Sequence, residues 1–265
     1  MRPQLSVRLF ADPLIACVLS GGAKGGVTCF SVDPSHGLVN QQILDFDSTF
    51  NQTDPPKGPP NTASEIIFKP DSSALIGLTK GNPGASPAQP GAIIVWPVEN
   101  GGVSQKPIID HVSDIILEFG SVWVSNNDLF ISDPSFGAAI VSVTGTSITE
   151  KAHIDITGQS AICWAMYSEQ NGKAYAIDAG KNVITIVDVA SGQISGNITI
   201  SLPQTANKPG LFDSIIIGET MYSLAAVSGI VVIDLAQDKA VNFIDLNGLG
   251  SRQGWTGMAA YTASQ

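Results

Sequence analysis

A pattern of short apolar segments, repeated five times, constrains the fold of this chain more than any other feature of its sequence. In each segment two or three apolar residues alternate with others, and a branched residue precedes the following turn, as in residues 27–32 and 184–189. The segments end at positions 32, 98, 143, 189 and 235, so the last three intervals are 45, 46 and 46 residues. The first interval is 66 residues because it contains two insertions rich in proline and glycine, 47–60 and 81–91. A period of about 46 residues is typical of the blades of a β-propeller.

Each repeat divides into four short strands, which we call A to D from the inside of the predicted blade outward. In one repeat these are residues 160–167, 173–177, 183–189 and 193–200, and in an earlier one 64–68, 74–78, 92–98 and 103–109. Asn171-Gly172 and Ser191-Gly192 supply the tight turns that hairpins require, and no stretch has sustained helical periodicity. The sequence therefore predicts a single all-β domain over residues 1–265, a β-propeller of about five (five to six) four-stranded blades.

The two ends of the chain are predicted to share one blade. Residues 254–262 have the pattern of a strand A with no further strands after it, whereas residues 14–44 supply strands B, C and D. Pairing the two ends closes the ring and covers sheet edges that otherwise invite aggregation. Residues 1–11 are then left as an extra strand or a loose tail, and any uncovered edge favours a homodimer.

Charge and composition limit the class of partner. The 265 residues carry a formal net charge of −10, and 43% of them are hydrophobic against 14% charged. Such a chain can bury a large core, but its negative charge disfavours binding to nucleic acid or to an anionic membrane surface. No apolar run is long enough to span a membrane. We therefore expect a hydrophobic small molecule as the partner, with no nucleic acid and no membrane span.

The three cysteines, Cys17, Cys29 and Cys163, form no Cys-x-x-Cys pair, and no histidine stands at ligand spacing. We therefore predict no metal site. Cys17 and Cys29 fall on neighbouring predicted strands and are placed to form a disulfide, although two buried thiols are the favoured interpretation.

Three strings give the sequence a family resemblance: residues 51–68 (NQTDPPKGPPNTASEIIF), 158–164 (GQSAICW), and 16–22 with 26–34 (ACVLSGG and GVTCFSVDP). Together they resemble a family of fungal, mostly secreted β-propellers that are described as lactonase-like or carboxymuconate-cyclase-like. A skin-yeast allergen and a protein of the trichothecene cluster are relatives within it. The resemblance covers residues 14–261, nearly the whole chain.

The resemblance also sets expectations about length, location and activity. Members usually carry a signal peptide and about one more N-terminal blade, so this chain is expected to be shortened there. Arg2 and Arg8 before the apolar residues 14–19 imitate a signal peptide, but Asp12 and Pro13 interrupt the pattern, so location is left open. For function the resemblance implies binding of lipid-like ligands and a place in secondary metabolism. Some fungal propellers of this general type also resemble enzymes that accelerate cycloadditions. The resemblance supplies no catalytic motif to carry over.

In a propeller, the D–A and B–C loops open on one face around the central channel, and ligands usually bind there. We call this the loop face. The aromatic residues in or beside these loops predict an apolar pocket; they are Phe50, Phe136, Trp164, Phe212 and Trp255. Taken singly, each is more typical of packing between blades.

Polar candidates lie near the same loops. Asp133 and Asp178 occupy equivalent positions at the ends of successive strands B, where they can orient a ligand, act as acid or base, bind a cation, or accept N–H bonds in their own turns. Asp213 and Glu65 are similar candidates near strands A, and Asn61 is added at the end of the first insertion.

Among the histidines, His111 and His153 follow strands D and can reach the channel mouth, whereas His36 lies in a turn on the opposite face. The sequence has no Gly-x-Ser-x-Gly elbow and no Walker A or dinucleotide fingerprint. No catalytic residue is therefore assigned, and no cofactor is expected.

The leading functional hypothesis is binding of a terpenoid- or polyketide-like molecule at the loop face, in fungal secondary metabolism. As an enzyme, the protein would be a cofactor-free cyclase or a hetero-Diels–Alder-type catalyst, because such reactions need mainly orientation and a few hydrogen bonds. The first alternative is a non-catalytic lipid or metabolite binder. A lactone hydrolase, which the family description suggests, and a protein-interaction scaffold are the others.

Overall fold

The computed structural model describes residues 4–8, 14–22, 25–45, 52–145, 147–255 and 257–260. Within these ranges the regular structure consists of β-strands and two short 3-10 turns, Pro203–Thr205 and Arg252–Gly254. The strands form five sheets, and the path through each sheet follows the order of the chain. None of the described segments contains a helix that is long and apolar enough to cross a membrane.

Sheets 1 and 2 take up the first part of the chain. Sheet 1 contains β1 Gln4–Arg8, β2 Ile15–Ser20, β3 Gly26–Asp33 and β4 Gly37–Asp45. Sheet 2 contains β5 Ala63–Phe68, β6 Ala74–Thr79, β7 Ala92–Glu99, β8 Gly102–Val103 and β9 Ile108–Asp110, and both β8 and β9 pair with β7.

Sheets 3 to 5 have four strands each. Sheet 3 contains β10 Ser121–Trp123, β11 Asp128–Asp133, β12 Gly137–Thr144 and β13 Ser147–Asp155. Sheet 4 contains β14 Ile162–Ser168, β15 Lys173–Asp178, β16 Val183–Asp188 and β17 Gln193–Thr199. Sheet 5 contains β18 Leu211–Ile217, β19 Thr220–Ala225, β20 Gly229–Asp234 and β21 Lys239–Asp245.

The predicted turn chemistry of sheet 4 is confirmed. Gly172 and Gly192 both have positive φ, 67° and 68°, at the two hairpins. An L-residue with a side chain rarely adopts this conformation, which is why glycine ends each turn. The inner residues of β16 are buried, whereas the outer strand β17 is exposed or half-buried except at Ile198.

Sheet 2 differs from the prediction in its outer strand. The sequence predicts one strand over 103–109, but the structure has the two short strands β8 and β9. Pro107 lies between them and has no N–H to donate to a neighbouring strand, so continuous pairing is interrupted there.

The chain divides into two compact units. Unit 1 consists of Met1–Phe119, Ser125–Asp128 and Val141–Glu150, and unit 2 of Gly120–Val124, Leu129–Ile140 and Lys151–Gln265. Trp96 and Leu75 lie fully buried in the core of unit 1. A core cluster of unit 2 likewise contains the fully buried side chains of Tyr175, Ile177 and Leu211.

The first position of sheet 1 is taken by β1, which pairs with β2 from Gln4 opposite Leu19 to Arg8 opposite Ile15. Residues 255 and 257–260 belong to no strand, whereas the sequence predicts that 254–262 completes this sheet; residues 256, 261 and 262 lie outside the described ranges. The difference follows from chain connectivity. A segment separated from β2 by six residues of sequence loses less entropy on pairing than one more than 200 residues away. The sequence left residues 1–11 as an extra strand or a loose tail, and residues 4–8 form a strand. The homodimer stays a prediction.

Cys17 and Cys29 form a disulfide in unit 1. They stand directly opposite each other across β2 and β3, and both side chains are buried. The favoured interpretation of two thiols is therefore wrong. The strand register decides the outcome, because it brings the two side chains to the same face at the same level. Cys163 is buried in β14 and is not part of a disulfide.

Candidate functional site

β-Bulges interrupt the first strand of three sheets and redirect side chains near its start. The pairing register shifts between Ala63 and Glu65 in sheet 2, Ile162 and Trp164 in sheet 4, and Leu211 and Ser214 in sheet 5. A bulge leaves residues unpaired and bends the strand, which is why bulges often aim side chains at functional sites. The bulge of sheet 5 contains Phe212 and Asp213, which are both sequence-predicted site residues.

The start of β18 is held in place by Gly210. Its φ is 129°, and a Cβ at this position would lie 2.3 Å from the carbonyl oxygen of Ala179. Its N–H donates to Oδ1 of Asn182 at 3.0 Å. Only glycine fits this close approach to Ala179. The contact and the hydrogen bond to Asn182 fix the backbone two residues before Phe212.

Trp164 and Phe212 meet in unit 2. Their ring centroids are 5.3 Å apart and their planes form an angle of 73°, which is the edge-to-face arrangement that aromatic pairs favour. The guanidinium carbon of Arg252 lies 4.8 Å from the centroid of the Phe212 ring, within the range of a cation–π contact. All three residues are half-buried. We call them the Trp–Phe–Arg cluster.

Arg252 is fixed by two of its three nitrogens. Nε donates to the carbonyl oxygen of Ala225 at 2.5 Å, and Nη1 donates to that of Trp255 at 2.8 Å. Nη2 is buried without a hydrogen-bond partner. Desolvation lowers the pKa of Arg252 from its usual value, but a guanidinium remains a cation at neutral pH.

Asp213 is a partly desolvated carboxyl next to the cluster in sequence. Oδ1 accepts the N–H of Ser214 at 3.0 Å, and Oδ2 accepts that of Met258 at 2.7 Å. Burial raises the pKa of Asp213 above its ordinary value of 3.8, and the two N–H groups offset part of the rise. The bond from Met258 also ties residue 258 to β18 of sheet 5.

The raised pKa of Asp213 predicts a pH dependence of stability. Because the folded protein binds this proton more tightly than the unfolded chain, its stability falls as pH rises from 3.8 through the folded pKa. Asp213→Asn keeps an oxygen acceptor but cannot ionise, so the variant should gain stability relative to wild type over that window. Urea unfolding of both proteins, from below pH 3.8 to neutral pH, measures this difference.

Asp188 provides the matched control. Hydrogen bonds from the hydroxyl and the N–H of Ser191 lower its pKa below 3.8, so its contribution to stability is present above 3.8 and lost as pH falls through the folded pKa. The difference between Asp188→Asn and wild type should therefore change in the opposite direction. Equal slopes for the two variants would show that Asp213 is not desolvated.

The other aspartates hold their own turns together. Asp178 is 3% exposed and accepts three backbone N–H groups, from Ser160, Ala161 and Gly180. Asp133 accepts the N–H and the hydroxyl of Ser135. These bonds give both residues the structural role considered for them, and their role in ligand binding stays a prediction.

The remaining candidates lie in separate places. Phe136 stacks on His153, with ring centroids 3.9 Å apart. Trp255 is half-buried and follows the 3-10 turn, where its carbonyl accepts the bond from Arg252. Phe50 lies outside the described residues.

Asn61 belongs to unit 1. It has a φ of 54°, and its N–H donates to the carbonyl oxygen of Gly81 at 3.1 Å, which joins the ends of the two proline-rich insertions. Beside this junction Lys80 is 2% exposed; its Nζ donates to the carbonyl oxygen of Ala63 at 3.0 Å and lies 4.3 Å from the centroid of the Phe119 ring.

Sequence reasoning missed two kinds of residue. The first kind is a buried charged side chain, found at Lys80 and Glu118. The sequence indicates these two residues only by placing each after an apolar run. Arg252 is a cation in a glycine-rich loop of an acidic protein, which was its signal. No group of three or more His, Cys, Asp or Glu side chains in the described ranges is placed to hold a metal ion.

Comparison with known proteins supports the fold. No protein-family model matches the sequence, and no curated protein matches it. A chain in a crystal structure of a nidogen/laminin complex aligns with a TM-score of 0.59 and 10% identity, over 91% of this chain and 79% of that chain. A chain in a crystal structure of the mitotic checkpoint complex aligns with a TM-score of 0.62 and 12% identity, over 92% of this chain and 65% of that chain. At these identities the likeness shows the fold alone, and that fold is β-propeller-like, as the sequence predicts.

Proposed function

We propose that this protein binds a hydrophobic small molecule, of a terpenoid- or polyketide-like kind, at the Trp–Phe–Arg cluster. The observation that carries the proposal is a pair of half-buried rings, packed edge to face, with a guanidinium held against one of them. Partly exposed rings offer apolar surface, and one well-placed polar group among them orients a ligand.

The place of the cluster in the repeat supports a site on the loop face. Trp164 and Phe212 lie near the starts of the first strands of sheets 4 and 5, and Arg252 follows the last strand of sheet 5. In the proposal, the five sheets are five blades, one for each repeat of about 46 residues. The site then lies where the D–A loops of two blades open.

The catalytic form of the proposal is cofactor-free cyclisation or hetero-Diels–Alder-type cycloaddition in fungal secondary metabolism. Such a reaction gains from holding the reacting groups in place and from a donor that stabilises negative charge developing on a carbonyl oxygen. Arg252 is the donor in this proposal. Turnover of a polyene or quinone-methide substrate distinguishes it from the alternative, a non-catalytic lipid or metabolite binder. The lactone-hydrolase alternative rests on the family resemblance alone.

Phe212→Ala should weaken ligand binding about tenfold, because burying a phenyl ring against a ligand is worth roughly 1.5 kcal/mol or more. The measurement is titration of wild type and variant with 2-naphthamide, a neutral aromatic probe, followed by tryptophan fluorescence and calorimetry. Phe243→Ala is the matched control, since Phe243 is a half-buried phenylalanine on β21, the last strand of the same sheet. Equal affinities of the two variants would contradict the proposed site.

A further inference from the structure

We infer that the ligand of the Trp–Phe–Arg cluster carries a carboxylate, and that Nη2 of Arg252 binds it. The inference rests on the proposed function and deepens it, because it names the polar group that the hydrophobic ligand must have.

The first step is the hydrogen-bonding capacity of Arg252. A guanidinium has five N–H donors, of which Nη2 carries two. Nε and Nη1 bond the backbone carbonyls of Ala225 and Trp255, but Nη2 has no acceptor although it is closed to solvent. A buried donor without an acceptor costs free energy, and a charged one costs more. An oxygen brought by a ligand removes this cost.

The second step is the missing counter-charge. Among the described residues, no carboxylate forms an ion pair with Arg252, although the chain has an excess of ten negative charges. Asp213, which follows Phe212 in the chain, gives its oxygens to the N–H groups of Ser214 and Met258 instead. A desolvated cation favours an anion as its partner, and the charge-assisted bond from Nη2 to a carboxylate oxygen is stronger than one to a neutral acceptor.

The third step is the direction from which a ligand approaches. The bonds to Ala225 and Trp255 hold the guanidinium over the Phe212 ring. An apolar body packed on Trp164 and Phe212 therefore places its acidic group next to Arg252.

The test compares two probes of the same shape at neutral pH, 2-naphthoate and 2-naphthamide, by calorimetric titration of the whole chain. Wild type should bind the ionised naphthoate about tenfold more tightly than the neutral amide, because a hydrogen bond to a charged group exceeds one to a neutral group. Arg252→Met should remove the preference by weakening naphthoate, whereas Arg252→Lys should retain part of it, because lysine keeps the charge but not the fork. Circular dichroism checks that both variants are folded.

The outcomes separate this inference from the proposed function. If wild type binds the amide, Phe212→Ala weakens that binding, and naphthoate binds no more tightly than the amide, the site stands and the carboxylate inference is overturned. The same holds if Arg252→Met keeps the full preference for naphthoate. If wild type binds neither probe, the site itself is overturned and the inference falls with it.

Discussion

Asp178→Ala is expected to lower the free energy of unfolding by about 4.5 kcal/mol, since this carboxylate accepts three hydrogen bonds and each bond to a charged group contributes roughly 1.5 kcal/mol at the lower end of its range. Oδ1 bonds the N–H groups of Ala161 and Gly180, and Oδ2 bonds that of Ser160, at 2.8–2.9 Å. Truncation leaves these N–H groups without their acceptor in a site where the side chain is only 3% exposed. Urea unfolding of variant and wild type, with the slopes compared, measures the loss.

Asp188 again offers a matched control within sheet 4. Its Oδ1 accepts the N–H and the hydroxyl of Ser191 in an exposed turn at the end of β16. Asp188→Ala should therefore have a much smaller effect, and Asp178→Asn, which keeps one acceptor oxygen, an intermediate one. If the two alanine variants unfold at the same urea concentration, Asp178 contributes no more to stability than the exposed Asp188, and the prediction is wrong.

The same change should also affect ligand binding. Asp178 ties residues 160 and 161 to the end of β15, directly before the bulge that carries Trp164. Loosening that tie frees the start of β14, so naphthamide affinity should fall together with stability in Asp178→Ala. A joint loss of stability and affinity would assign Asp178 a positioning role in the proposed site rather than a contact with the ligand.

Strands and turns were predictable because their signals are local. In sheet 4 the predicted strands 160–167, 173–177, 183–189 and 193–200 differ from those observed by at most two residues at either end. Apolar alternation sets each strand, and an Asn-Gly or Ser-Gly pair sets each turn. Neither signal depends on the rest of the chain.

Pairing between distant segments was not predictable in this way. Residues 254–262 were predicted to take the first position of sheet 1, with residues 1–11 left as an extra strand or a loose tail, but β1 takes that position. The outcome depends on chain connectivity. Pairing β1 with β2 closes few residues of sequence, so it costs less entropy than pairing β2 with residues 254–262.

The candidate site shows the same limit more strongly. Trp164, Phe212 and Asp213 were chosen as residues beside loops, and the structure confirms that Trp164 and Phe212 meet. Arg252 was not chosen, since its role comes from carbonyl groups of Ala225 and Trp255 that bring the guanidinium to the ring. The sequence marks Arg252 only as a cation in a glycine-rich loop of an acidic protein, and its contact with the Phe212 ring follows from tertiary packing.

Reducing the disulfide between Cys17 and Cys29 is expected to lower the free energy of unfolding by about 3 kcal/mol, which is the loop-closure entropy that a link over 12 residues removes from the unfolded chain. The effect has this size because the two cysteines already face each other in the register of β2 and β3, so the bond restrains the unfolded chain while the folded strands stay paired. Guanidinium unfolding of wild type with and without a phosphine reductant measures it.

Two variants make this result specific. Cys17→Ala/Cys29→Ala should unfold near the midpoint of the reduced wild type and should not respond to the reductant. Cys163→Ala keeps the disulfide, so it should respond as wild type does, which separates the bond from the buried thiol in β14. If oxidised and reduced wild type unfold at the same denaturant concentration, the disulfide adds no stability and the prediction is wrong. In that case the stability of sheet 1 comes from its buried residues Val27 and Leu44 rather than from the covalent link.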